Sequence, residues 1–158
     1  MARFLLICLG SAAGTGARYL VSMWAARSLG TGFPYGTLAV NVVGSSLLAF
    51  LMYVGSSTET LSQTARVTLA AGVLGGFTTY STFSFDTFRY LHEGAIAMAL
   101  VNVAVTVLAC LGGCALGFAG TRAGRKLNDP YGRRASSIQV AFAQAFSSPR
   151  SEKIAVPA

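Results

Sequence analysis

Apolar stretches of about 20 residues, the length that crosses a bilayer's hydrocarbon core, recur four times between Arg3 and Ala119. They run from about Arg3 to Ala26, Pro34 to Val54, Thr64 to Tyr90 and Ala95 to Ala119. The second and fourth carry no charge, and Arg18 is the only charge deep inside any of them. Charged residues make up 11% of the chain, where a soluble domain carries about 25%, and the mean hydropathy is +0.58. This pattern predicts an all-α integral membrane protein with four transmembrane helices. The connections "RSLGTGF", "GSSTETLSQ" and "LHEG" are short, which places neighbouring helices antiparallel in a compact bundle. Arg3, "FLLICLG" and the small residues after it have the order of a secretory signal peptide. The apolar part is only about seven residues, and the segment resumes with "YLVSMWAA". A retained first helix is therefore expected.

Residues 1–119 form the expected transmembrane domain and 120–158 a basic tail. That tail holds seven of the twelve basic residues: Arg122, Arg125, Lys126, Arg133, Arg134, Arg150 and Lys153. It is rich in Ser, Gly and Ala, so disorder is the expectation, with "IQVAFAQAF" as a candidate short interfacial helix. A basic segment beside a membrane belongs on the cytoplasmic face among anionic head groups. Aromatic residues do not interleave with the charges, and no nucleic-acid partner is expected.

Cys8, Cys110 and Cys114 all fall in apolar spans, a placement that suits packing and not a disulfide framework. His92, the sole histidine, lies at a helix end and reads as a surface residue. One His and scattered carboxylates assemble no nucleophile–base pair or metal constellation, so an enzyme is not expected. No GxxxxGK[ST] sequence occurs, which argues for passive flow and against ATP-driven transport.

Polar groups inside a membrane are costly, and each is a candidate site. Arg18 reads either as a helix-end arginine reaching for the interface or as a cation facing the bundle. Asn41, in "GTLAVNVVGSSLLAF", offers donors either to a neighbouring helix or to a solute. Asn102, Thr106 and Cys110 lie along one face of the fourth helix. Thr106 has the alternative of bonding its own backbone. The strongest signal is "GGFTTYSTFSFD", Gly75 to Asp86, with six hydroxyl-bearing residues directly after an apolar run. Its paired glycines and hydroxyls predict a third helix broken near its middle. Such backbone survives in a membrane only inside protein or along a cavity, and its freed carbonyls suit a hard cation such as Na⁺. The competing reading is a packing notch, with Gly72 and Gly76 at GxxxG spacing.

These same residues resemble the Fluc (CrcB) fluoride-channel family. "GGFTTYSTFSFD" is similar to its "GGxTTFSTF" signature, "GTLAVNVVGSSLLAF" to "GTLxVNxxGSFLLG", and "GSAAGTGARYL" to "GGxxGAxxRY". The resemblance covers about residues 3–119 and leaves the tail outside. It implies a channel domain that works as an antiparallel dimer and exports fluoride passively across the bacterial inner membrane, giving fluoride resistance. The backbone carbonyls of Gly75 and Thr78 match the ligands of a structural Na⁺ at the dimer centre. Phe83 and Tyr80 stand where the family presents two phenylalanine ring edges to fluoride. Asn41 matches the amide that donates toward the ion, and Asn102 and Thr106 match a polar track on the fourth helix. Arg18 and Thr37 fall at the vestibule. Two positions depart from the pattern: Tyr80 replaces a Phe, and Asp86 replaces a Glu.

The resemblance leaves two dimers open, a dual-topology homodimer or a heterodimer with an oppositely oriented homologue. Basic residues near span ends count seven on the N-terminal side (Arg3, Arg66, Arg122, Arg125, Lys126, Arg133 and Arg134) against Arg27 and Arg89 on the other. That asymmetry predicts a fixed orientation with both termini cytoplasmic. A four-helix multidrug/proton antiporter is the rival function, but it needs a membrane-embedded carboxylate for proton coupling. Only Asp86, toward the end of the third span, could serve, since Glu59 lies in a loop. A non-conducting subunit of a heterodimeric channel is the other alternative.

Overall fold

The chain is helical throughout its described part, and the helices follow the four apolar spans. The computed structural model describes residues 1–57 and 61–123, with the side chains of 55–57 and 121–123 excepted. Helix α1 is Ala2–Leu29 and α2 is Tyr35–Ser57. The third span comes in pieces: α3 (Gln63–Val67), a π-helical segment (Thr68–Leu74), α4 (Gly75–Phe77) and α5 (Tyr80–His92). Helix α6, Ile96–Ala123, closes the bundle. Among the described residues three helices are individually long and apolar enough to cross a membrane: α1, α2 over Tyr35–Val54, and α6 over Ile96–Gly120. The third span reaches the required length only as two halves joined at Thr78–Thr79. The expected tail lies outside the described residues from 124 onward, and so does Glu59.

Local chemistry explains the ends. Pro34 precedes α2, where its missing N–H costs nothing. Ser62 caps α3 by accepting from the Ala65 N–H. After α5, Gly94 takes a left-handed φ of 74°. There the Gly94 N–H reaches the Leu91 carbonyl and the Ala95 N–H reaches the Tyr90 carbonyl, the pairing that closes a helix on glycine.

Packing is tightest where small residues line up. Helix α2 packs most extensively on α6, and α1 on the π-helical segment. A Cβ added to Gly76 would stand 2.5 Å from the Ser11 carbonyl, and one on Gly14 would run into the Val73 carbonyl. Ser11 and Thr15 hydroxyls donate to the Gly72 and Gly76 carbonyls across this contact. The packing-notch reading of Gly72 and Gly76 therefore holds, alongside the break. The interior is small: Ala25, Val40, Val67, Leu74, Tyr90 and Ala99 are its buried apolar residues. Large apolar side chains such as Phe4, Leu9, Leu20, Trp24 and Leu108 point outward, as expected for a lipid-facing surface.

Candidate functional site

The break in the third span falls one step later than the glycines suggest. Gly75 is right-handed helical, with φ −63° and ψ −36°, and Gly76 lies in α4. The chain leaves the helix at Thr78 (φ −81°, ψ 161°) and Thr79 (φ −151°, ψ 114°). Two β-branched residues accept extended backbone readily, whereas Gly76 is required for close approach to α1. The expected break is present, and within "GGFTTYSTFSFD" it falls on the threonines and not on the paired glycines.

Extended backbone leaves N–H and C=O groups to be satisfied, and two neighbouring helices and the third span itself contribute. From α2, Asn41 acts on both sides of Thr79: its Nδ2 donates to the Thr79 carbonyl at 3.0 Å, and its Oδ1 accepts the Thr79 N–H at 2.8 Å. From α1, Arg18 Nη1 donates to the Thr78 carbonyl at 3.3 Å. Within the break, Thr79 Oγ1 caps α5 by accepting the Thr82 N–H at 3.2 Å. The Thr78 N–H and hydroxyl both return to the Leu74 carbonyl, at 2.9 and 3.0 Å.

Arg18 therefore turns into the bundle, with its guanidinium on the Thr78 carbonyl. Asn41 is an interhelical link first, and one of its two amide hydrogens remains beyond the Thr79 bond. Because the Thr79 N–H goes to Asn41, it does not close a helical turn on the Gly75 carbonyl.

The remaining candidates sit on either side of the break. Thr37 Oγ1 donates to Asp86 Oδ2 at 3.2 Å, which pairs the vestibule residue with the carboxylate on α5. Asn102, 1% exposed, donates from Nδ2 to Thr87 Oγ1 at 2.9 Å, and Thr87 passes the chain on to the Phe83 carbonyl at 2.8 Å. Thr106, one turn along the same face of α6, does not bond its own helix: its Oγ1 is buried with no hydrogen-bond partner. Tyr80 is 80% exposed, and its ring lies 5.8 Å from that of half-buried Phe83 at 50°. Arg18 and Asn41 thus meet at Thr78–Thr79, and Asn102 joins Phe83 through Thr87. Tyr80 stands out from the surface.

Some of this geometry has no counterpart in the expected site. The π-helical turn just before the break leaves no mark in composition. Thr87 as a relay and Thr79 as a cap are also new, although Thr79 and Thr82 stand at the spacing of an N-terminal capping pair. Among the described residues no group of three or more His, Cys, Asp or Glu side chains could hold a metal.

Residues 5–118 match the family model described as "CrcB-like protein, Camphor Resistance (CrcB)". This chain belongs to the CrcB family. Among its relatives is a protein named fluoride-specific ion channel FluC from Anaeromyxobacter dehalogenans (strain 2CP-1 / ATCC BAA-258). It is 52% identical over 111 residues, covering 70% of this chain and 88% of the relative. A protein of the same name from Sorangium cellulosum (strain So ce56) is 50% identical over 111 residues, covering 70% and 87%. A third, from Geotalea daltonii (strain DSM 22248 / JCM 15807 / FRC-32), is 42% identical over 122 residues, covering 77% and 98%. The CrcB match spans all four apolar segments and the break, so the chain is a multi-pass membrane protein.

Proposed function

We propose that this chain is a fluoride-specific ion channel, not an enzyme, that lets fluoride leave the cytoplasm passively through the bacterial inner membrane and so gives fluoride resistance. The observation that carries the reading is the polar break at Thr78–Thr79, held mid-span in a chain whose CrcB relatives are named fluoride-specific ion channels.

Fluoride is small and tightly hydrated, so a pore has to replace its water with hydrogen-bond donors and weakly positive ring edges. In this proposal Tyr80 and Phe83 supply the edges. The second amide hydrogen of Asn41 and the unpartnered hydroxyl of Thr106 supply donors. Asn102 has its amide committed to Thr87, and through it fixes the backbone of Phe83. Arg18 and Thr37 stand at the vestibule, where positive charge and a hydroxyl draw the anion in. Neutral donors at the narrowest point bind weakly enough for release.

The exposure of the break supports an assembly. Gly75, Tyr80, Ser81 and Thr82 are all exposed on the single chain, and lipid cannot satisfy such backbone and hydroxyls. A second copy, or an oppositely oriented homologue, covers that face in an antiparallel dimer. The surroundings of Gly75 fit a structural Na⁺ between the two. Its carbonyl has lost the Thr79 N–H, and an added Cβ would meet only the Ala70 carbonyl, at 3.6 Å. Packing within the chain thus does not require glycine there, whereas close approach of an ion or a partner backbone does. Such a cation would supply hard positive charge to backbone oxygens of Gly75 and Thr78 from both subunits.

The reading is tested by expressing the chain in a bacterium that lacks fluoride export. Restored growth in fluoride medium is expected, and continued sensitivity despite normal membrane levels would refute it. Glycosylation or cysteine-accessibility mapping decides between partners: a single orientation calls for an oppositely oriented homologue, and equal amounts of both allow a homodimer.

A further inference from the structure

Resting on the sodium site proposed above, we infer that Arg18 and the cation compete for one oxygen, the Thr78 carbonyl, so that Arg18 sets how tightly this chain holds sodium. Two carbonyls are offered at the break, and they are in different states. That of Gly75 lies on an exposed residue and has lost its helical donor. That of Thr78 accepts the Arg18 guanidinium at 3.3 Å from a side chain that crosses over from α1.

A guanidinium is charged at every accessible pH and cannot leave its site by losing a proton. A cation bound to the same oxygen would sit a few ångströms from that charge, in surroundings drier than bulk water. Repulsion at that range outweighs a tenfold change in affinity. Among the described residues no carboxylate pairs with Arg18, and Asp86 accepts from Thr37 instead. Arg18 therefore satisfies the Thr78 carbonyl when sodium is absent and opposes sodium when it arrives. The break keeps a hydrogen-bonded backbone in both states, and its occupancy becomes dependent on sodium concentration.

The test uses the purified full-length chain in detergent and reads the thermal midpoint as sodium chloride replaces N-methyl-D-glucamine chloride at constant ionic strength, since a ligand of the folded state raises that midpoint. Arg18→Gln keeps a donor and removes the charge. The sodium concentration giving half of the stabilisation is expected to fall about tenfold in R18Q, while Arg18→Lys, which keeps the charge, stays within about twofold of wild type. An unchanged or higher sodium requirement in R18Q overturns the inference. A second reading needs no variant: modification of Arg18 by phenylglyoxal, followed by peptide mass spectrometry, should speed up when sodium frees the guanidinium. A rate indifferent to sodium also overturns it. Fluoride efflux from liposomes, measured in parallel, separates the two claims. Efflux by wild type together with a flat response in R18Q removes only the role of Arg18, whereas absent efflux removes the channel reading itself.

Discussion

Replacing Asn41 by leucine removes both arms of the clamp on Thr79 while keeping the side-chain volume nearly constant. The Thr79 N–H and carbonyl now bond Asn41 at 2.8 and 3.0 Å, and both Asn41 and Thr79 are buried. The Thr79 N–H has no helical partner to fall back on, because Thr78 and Thr79 are extended, whereas the Thr79 carbonyl, at the N-cap, also opens the α5 ladder. A buried polar group left unpaired costs about 1–3 kcal/mol. The one group left unpaired, the Thr79 N–H, puts the loss at roughly 1–3 kcal/mol, a sizeable part of the about 5–15 kcal/mol that holds a typical domain folded. The leucine brings no cavity, so the loss belongs to the hydrogen bonds. Chemical unfolding of the purified chain in mixed micelles measures it, with Val43→Leu on the same helix as an exposed control. A loss below about 0.5 kcal/mol, within the range of ordinary surface changes, would refute the view that Asn41 holds the break.

Other positions separate packing from transport. Thr106→Val removes a buried hydroxyl that has no protein partner, so stability should hold or rise by up to about 1–3 kcal/mol while fluoride efflux falls; a matching loss of stability would place the hydroxyl in the fold and not in the path. Thr79→Ala should cost about 0.5–2 kcal/mol by uncapping α5, and Thr79→Ser should recover most of it in the same unfolding assay. Gly76→Ala sets a methyl against the Ser11 carbonyl and should destabilise by about 1–3 kcal/mol through overpacking. Gly75→Ala meets no such contact and should leave the monomer's packing intact while weakening sodium-dependent dimerisation, read by crosslinking.

Much of the architecture is legible because a bilayer imposes simple rules. Apolar run length marks the spans, and a cluster of hydroxyls in the third marks its break. The exact place of the break is not legible, because Gly75–Gly76 and Thr78–Thr79 both loosen a helix in isolation. Close approach of Gly76 to Ser11 decides between them, and that contact is 65 positions away in the chain. The direction of Arg18 is hidden for the same reason: its partner at Thr78 is 60 residues on. The family motif points to Asn41 as a donor, yet its bond to Thr79 spans 38 residues and makes it a structural clamp as well. Thr106 is the reverse case. Local habit for threonine in a helix is a bond to its own backbone, and here the hydroxyl is left free. The π-helical turn leaves no compositional trace, since its apolar residues suit an α-helix equally.

The central claim, that the residues around the break line a fluoride path, is tested most directly by fluoride efflux from liposomes containing this chain, with wild type, Phe83→Ile and Asn41→Asp side by side. Fast fluoride efflux by wild type without chloride efflux, and its loss in both variants recovered as folded dimers, is the predicted result. Wild-type efflux no faster than from protein-free liposomes, or efflux unchanged in both variants, would contradict it.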